Sequence, residues 1–253
     1  MGYATIRRAC ASLLLYLVVM AQPVKAETIE VVSMVLGDGL QQADHSGFYG
    51  ELMDEILKGT DAPSRFSVYP FKRALKVFFT GNVDCIWALD AAFLSKFDEG
   101  GGDRVESALV LNSRQFLFTM PDKPKIGSLP EVAGKTIGVL NGTNIDASLV
   151  AAAANVVKLP SQEAKIDMML AGRLDAIGGW TPDIYITMKR LGLDSNLITP
   201  MFSLDSSGVR IVCHDTPKTD AFLEAINVSI ADVLASQAYE DIFARFGVPT
   251  NMK

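Results

Sequence analysis

The chain is poor in the residues that most often carry chemistry: 253 residues hold two histidines, three cysteines and two tryptophans. His45 and His214 are far apart, with no second ligand near either in sequence, so no metal centre is expected. HExxH, CxxC and GxSxG patterns are missing, and neither histidine has a convincing acidic partner. No catalytic residue is nominated, no cofactor is implied, and an enzyme is not the first reading. Basic charge is also scarce, 23 Lys and Arg against 29 Asp and Glu, which argues against nucleic acid or an acidic membrane surface as a partner. After the first 26 residues no apolar run approaches the roughly 20 residues of a membrane span.

Those 26 residues have the layout of a secretory leader. Arg7 and Arg8 precede an apolar run from Leu13 to Met20, and Val24-Lys25-Ala26 precedes Glu27. Cleavage is expected after Ala26, giving a periplasmic chain with no membrane insertion. Cys10 lacks the small-residue context of a lipid-attachment site, so no lipid anchor is expected. The leader takes three basic residues and no acids, leaving 227 residues with 20 basic and 29 acidic side chains, a net charge of −9. That length suits one large domain or two smaller ones, and a monomer is expected. Cys85 and Cys213 remain, in an oxidising compartment that permits a bridge. Both sit in apolar, strand-like runs (DCIWA and VRIVCH), which favours two buried thiols over a disulfide.

Apolar spacing switches repeatedly between short runs and helical periods, the pattern of an α/β fold. Strands are expected at 29–35, 66–69, 84–88, 136–140, 156–159 and 174–177, with extended runs at 108–120, 196–202 and 208–214. Helices are expected from near Tyr49 to Gly59, over 71–79, 145–153 and 162–171, after Thr181-Pro182, and in two stretches near the end of the chain. In the 71–79 helix, Phe71, Ala74, Leu75, Phe78 and Phe79 form one apolar stripe. VYPFKRALKVFFTGNVDCI is echoed about ninety residues later by KLPSQEAKIDMMLAGRLDAI. Pro70, Ala74, Gly81, Asp84 and Ile86 answer to Pro160, Ala164, Gly172, Asp175 and Ile177. Two similar lobes are the better reading, although strand-Pro-helix-Gly-strand is also generic α/β grammar. Where two α/β lobes face each other, ligands collect at the carboxyl ends of strands, in the cleft between them.

GFYGELMDEILKG, YPFKRALKVFFTGNVD, LPEVAGKTIGVLNGT, AKIDMMLAGRLDA and AYEDIFARFG, in that order, resemble the bacterial extracellular solute-binding proteins of family 3, the type II periplasmic binding proteins. The likeness spans nearly all of the chain after the leader and rests on order and spacing. It implies a first lobe of residues 27–112 plus 206–253 and a second lobe of 113–205, joined by a two-strand hinge. It implies a small-molecule ligand captured by hinge closure and passed to an inner-membrane ABC permease. The alternatives are a periplasmic enzyme of the same fold, such as a cyclohexadienyl dehydratase, and a sensory module that presents its ligand to a receptor.

Asn141-Gly142-Thr143-Asn144 lies between a strand and a helix, where free N–H groups attract an anion, Gly142 permits close approach and Thr143 adds a hydroxyl. The resemblance places a ligand carboxylate there; Thr143 or Asn144 as a simple helix cap is the alternative. Arg73, in the first turn after Pro70, suits a carboxylate or a ring as well as it suits a solvated helix face. The family's hinge arginine has imperfect matches in Arg104 and Arg114. Trp87 and Trp180 stand at corresponding strand ends, suited to sandwiching a ring, with core packing the stronger reading for Trp87. Tyr69 and Phe48 are weaker nominees. Counting from GRLDA, the amino-acid-binding members have an aspartate at Trp180, so an organic or aromatic carboxylate is favoured over an ordinary α-amino acid. Asp84 and Asp175, each at a strand start, are expected to serve structure. The acidic glycine loop of residues 98–103 reads as solvated.

Overall fold

A computed structural model of the chain describes residues 27–98, 101–141 and 145–249; the leader and the nominated Gly142, Thr143 and Asn144 lie outside them. The first half builds β1 (Ile29–Met34), α1 (Phe48–Lys58), β2 (Ser64–Tyr69), α2 (Phe71–Phe79), β3 (Cys85–Leu89), a short α3 (Ala91–Leu94) and β4 (Arg104–Glu106). Then come β5 (Leu111–Thr119), β6 (Thr136–Leu140), α4 (Ile145–Ala151), β7 (Asn155–Leu159), α5 (Gln162–Leu170), β8 (Ala176–Thr181) and α6 (Asp183–Arg190). Strand β9 (Thr199–His214) and helices α7 (Pro217–Leu234) and α8 (Gln237–Phe246) follow.

The echo in the sequence is a repeat in the fold. Strand β1 is flanked by parallel β2 and β3, and β6 by parallel β7 and β8, with Val31 opposite Cys85 and Ile137 opposite Ala176. Each repeat is pinned by its aspartate. Asp84 accepts at 2.8 Å from the Glu30 N–H, and its own N–H donates to the Glu30 carbonyl. Asp175 makes the same pair of bonds with Thr136, also at 2.8 Å. A carboxylate that accepts a backbone N–H at a strand start satisfies a group the ladder leaves open, which is the structural role expected of both.

Two long antiparallel strands join the halves, in the order β2-β1-β3-β9-β5-β8-β6-β7 with β4 also on β9. The 16 residues of β9 pair with β3 and β4 at one end and with β5 along the rest. Two separate extended runs were expected here. The polar stretch between them continues the ladder, with Asp205, Ser206 and Ser207 opposite Gln115, Arg114 and Ser113; Ser203 to Ser206 are exposed or half-buried, so pairing there does not demand apolar side chains. Strand β8 runs on to Thr181, past the expected end at Ile177, and α6 starts at Asp183.

Helix α1 buries Phe48, Leu52, Met53 and Ile56 against β1, β3, β9, α7 and α8, and α2 buries Ala74, Leu75 and Phe78 on the opposite face of that sheet. Two further cores flank the second sheet, one around Phe118, Ile166 and Met188, the other around Leu117, Ile137 and Leu149. Each fully buried large apolar side chain contributes about 1.5–3 kcal/mol. One core crosses the division: Ile186 of α6 is buried among the residues of the α1 side.

The cysteines depart from expectation. Cys85 and Cys213 are directly opposed in β3 and β9, and their sulfurs are bonded at 2.04 Å. The apolar context of each was read correctly; that β9 lies beside β3 is a property of topology that neither local run carries.

Candidate functional site

The parallel strands of both repeats end at one cleft. A cavity of about 440 Å³ lies there, lined by Leu36, Gly37, Asp38 and Leu40 after β1 and by Leu140, Pro160, Ser161, Gln162 and Glu163 after β6 and β7, with Thr187 and Arg190 of α6. Arg190 is paired with Glu163, and Gln42 donates to Asp38 at 2.5 Å. Among the described residues the Gln162 Oε1, on a residue that lines the cavity, is buried with no hydrogen-bond partner.

The nominated residues fall into different places. Trp180 closes β8, half-buried, and meets Phe93 of α3 edge to face with ring centroids 5.5 Å apart, second lobe against first. Its strand end is tied to the hinge: the Ser113 hydroxyl donates to the Thr181 carbonyl at 2.6 Å, and the Thr181 hydroxyl donates to the Arg114 carbonyl at 3.2 Å. Phe93 continues through Phe97 to Phe71 at 5.4 and 5.6 Å, an aromatic row of half-buried rings. Tyr69 ends β2, and the exposed Arg73 guanidinium lies 4.2 Å from its ring centroid. Arg114 is an exposed residue of hinge strand β5, and among the described residues neither it nor Arg73 is paired with an acid.

Trp87 is corrected. It is fully buried in the first core, with its Nε1 donating to the Tyr49 carbonyl at 3.0 Å. Plain strand alternation puts Trp87 on the same face as Cys85, with Ile86 on the other; the bulge at Ala88, with its φ of 80°, comes after Trp87 and turns Leu89 to the side of Ile86. Phe48 is likewise core. Arg104 lies on β4, paired with Asp98 and stacked over Phe79 with its guanidinium 5.4 Å from the ring centroid, so it serves the outer edge of the sheet.

Sequence reasoning missed the lining after β7, and the repeat held the signal. Pro160 answers to Pro70, so Glu163, three residues on, is the counterpart of Arg73; only the first of the two turns was nominated.

Three titratable groups meet beside the cavity. The Tyr49 hydroxyl donates to the Asp183 Oδ1 at 2.7 Å. Burial pushes the Asp183 carboxyl up to about 6, against the Tyr49 hydrogen bond and the Lys165 charge, which both hold it down. Lys165 is 1% exposed, donates to the Gly178 carbonyl, and is lowered to about 7 by burial, with Asp183 opposing. Burial first and the Asp183 charge second raise the Tyr49 phenol well above its ordinary value.

No protein-family model matches the sequence, and no curated protein matches it. Solved structures do. The ligand-binding core of GluR0 from Nostoc punctiforme, in complex with L-glutamate, is 14% identical with a TM-score of 0.64, covering 87% of this chain and 100% of that one. The second substrate-binding domain of a putative amino acid ABC transporter from Streptococcus pneumoniae Canada MDR_19A is 16% identical, with a TM-score of 0.61 and coverage of 87% and 100%. The fold is that of a type II periplasmic binding protein. The L-cystine solute receptor of Neisseria gonorrhoeae, in its unliganded open conformation, shares this fold at 13% identity and a TM-score of 0.61, covering 88% of this chain and 93% of that one. Within the type II fold, β5 and β9 are the hinge strands, and the cavity lies between the lobes. Among the described residues no helix is long and apolar enough to cross a membrane, and no group of three His, Cys, Asp or Glu is placed to hold a metal ion.

Proposed function

We propose that this protein is an exported solute-binding protein of family 3 that closes around a small molecule in the periplasm and passes it to an ABC permease. The lobes are 27–112 with 206–253, and 113–205. The observation that carries the reading is the cavity of about 440 Å³ lined from both lobes, a size that suits a small solute and a position that makes binding and closure one event.

The solute class is an organic or aromatic carboxylate. Trp180 stands where the amino-acid-binding members have an aspartate, which removes the acid that would pair with an α-amino group. The aromatic row ending at Trp180 offers a ring a stacking wall, and Arg73 in the first turn of α2 and Arg114 on β5 are cations with no acidic partner among the described residues. The solved relatives have glutamate, cystine or amino acids in their names, and Trp180 is where this chain departs from that chemistry.

A thermal-shift screen of the mature chain against aromatic and aliphatic carboxylates, amino acids, polyamines and sugars tests this. A ligand at 100 times its dissociation constant stabilises by about 2.7 kcal/mol, a rise of several degrees. The expected result is a saturable rise with a carboxylate that Trp180→Ala abolishes. A rise with α-amino acids alone replaces the carboxylate reading, and no rise with any solute overturns capture itself.

A further inference from the structure

Helix α6 belongs to the second lobe yet rests on the first along its length. Asp183 in its first turn accepts from Tyr49 of α1 at 2.7 Å, Ile186 is buried in the first lobe's core, and the Lys189 ammonium donates to the Ala244 carbonyl of α8 at 2.9 Å. Tyr49 is held for this contact: it is 3% exposed, its N–H donates to the Leu40 carbonyl at 2.9 Å, and its carbonyl accepts from Trp87. Lys165 acts on Asp183 through its charge and is anchored on the Gly178 carbonyl of β8.

We infer that Tyr49 and Asp183, with Lys165 behind them, form a proton-linked latch between the lobes, so that closure of the cleft tightens as the pH falls. The inference rests on the reading that the lobes open and close. Among the described residues, the groups that act on Asp183 are Tyr49 and Lys165, and on Lys165 it is Asp183. Of the other charges on α5 and α6, Glu163 pairs with Arg190 at the cavity, Lys189 donates to Ala244 and Asp167 is exposed, while on α1 and α8 Glu51 pairs with Arg245, Glu55 with Lys58, and Asp54 and Asp241 lie with them on the far side of α1.

The sign follows from what opening changes. With the lobes together, burial holds the Asp183 carboxyl near 6. Parting them returns the carboxyl to water and toward the ordinary carboxylate range, while Lys165 stays enclosed by its own lobe. Closing therefore takes up a proton in the window between about 4 and 6, and the closed population grows as the pH falls through that window. For a carboxyl that moves from about 4 to about 6, the closing equilibrium gains roughly tenfold between pH 8 and pH 5.

The test uses the intact mature chain with spin labels at Lys76→Cys and Asp167→Cys, exposed positions on α2 and α5. Inter-label distances are measured from pH 8 to pH 5 in the otherwise wild-type, Tyr49→Phe and Asp183→Asn proteins, with circular dichroism confirming the fold of each. The short-distance population should rise as the pH falls, the rise should vanish in Asp183→Asn, and Tyr49→Phe, which keeps the ring in the core, should shift the distribution toward longer distances throughout. A pH response that persists in Asp183→Asn, or a Tyr49→Phe distribution identical to wild type, overturns the latch. Labels that move with solute but not with pH overturn the latch and leave closure standing; labels fixed under both overturn closure as well.

Discussion

Phe93 and Trp180 meet edge to face with ring centroids 5.5 Å apart, one from each half of the sheet and outside the lining of the cavity of about 440 Å³. An aromatic pair of this geometry contributes about 0.5–1.5 kcal/mol beyond the area it buries. Trp180→Ala should therefore lower the melting temperature of the solute-free protein by a few degrees and, as the ring a solute would stack on, lower solute affinity by about a hundredfold or more, as measured by calorimetric titration alongside a melting curve. Unchanged affinity would remove Trp180 from the site.

The Lys165 ammonium is buried, and its folded pKa of about 7 lies below the ordinary lysine value. Folding thus favours the neutral amine, so this group's contribution is complete above about pH 10.5 and falls as the pH drops toward 7. Lys165→Met removes a buried cation at low pH and almost nothing at high pH. Its melting temperature relative to wild type should rise by several degrees from about pH 10 to about pH 7 and level off below pH 7; a difference independent of pH contradicts the assignment.

The Cys85–Cys213 disulfide closes a separation of 128 residues. Chain entropy alone assigns such a loop about 5 kcal/mol, on the order of 10 °C in melting temperature for a chain of this size. The double variant Cys85→Ser with Cys213→Ser should melt lower by that order in denaturation scans, yet bind solute with unchanged affinity, because both cysteines lie in the core.

Asp84 and Asp175 occupy equal places in the two repeats, but Asp84 also meets the Lys218 ammonium at 2.9 Å, an ion pair that Asp175 lacks among the described residues. Asn substitution at either keeps the size and weakens the acceptor. Asp84→Asn should cost more stability than Asp175→Asn, with a difference of about 1 kcal/mol or less for a pair this exposed. Equal costs in urea titrations would mean the ion pair contributes nothing.

Most strands and helices were legible because burial imposes period on sequence: the 71–79 stripe and the 136–140 strand stand where spacing places them. The repeat was legible through Pro, Gly and Asp at fixed offsets. What escaped was set by tertiary neighbours. The bulge at Ala88, the pairing of Cys85 with Cys213, and the continuity of β9 through SLDSS all depend on which strand lies alongside. The cleft was legible as a place, since carboxyl strand ends mark it. Its lining was only partly so, because Asp38 is a polar loop residue and Ser161 and Gln162 read as the cap and first residue of α5, a pattern that any helix start would show. Tyr49 and Asp183, 134 positions apart, carry no local mark of their contact.

The central claim is that two lobes close on a small solute, and small-angle X-ray scattering of the mature chain with and without saturating carboxylate tests it most directly. A fall in the radius of gyration on adding solute, absent in Trp180→Ala, is the predicted result. Binding with no change in the radius of gyration would contradict closure.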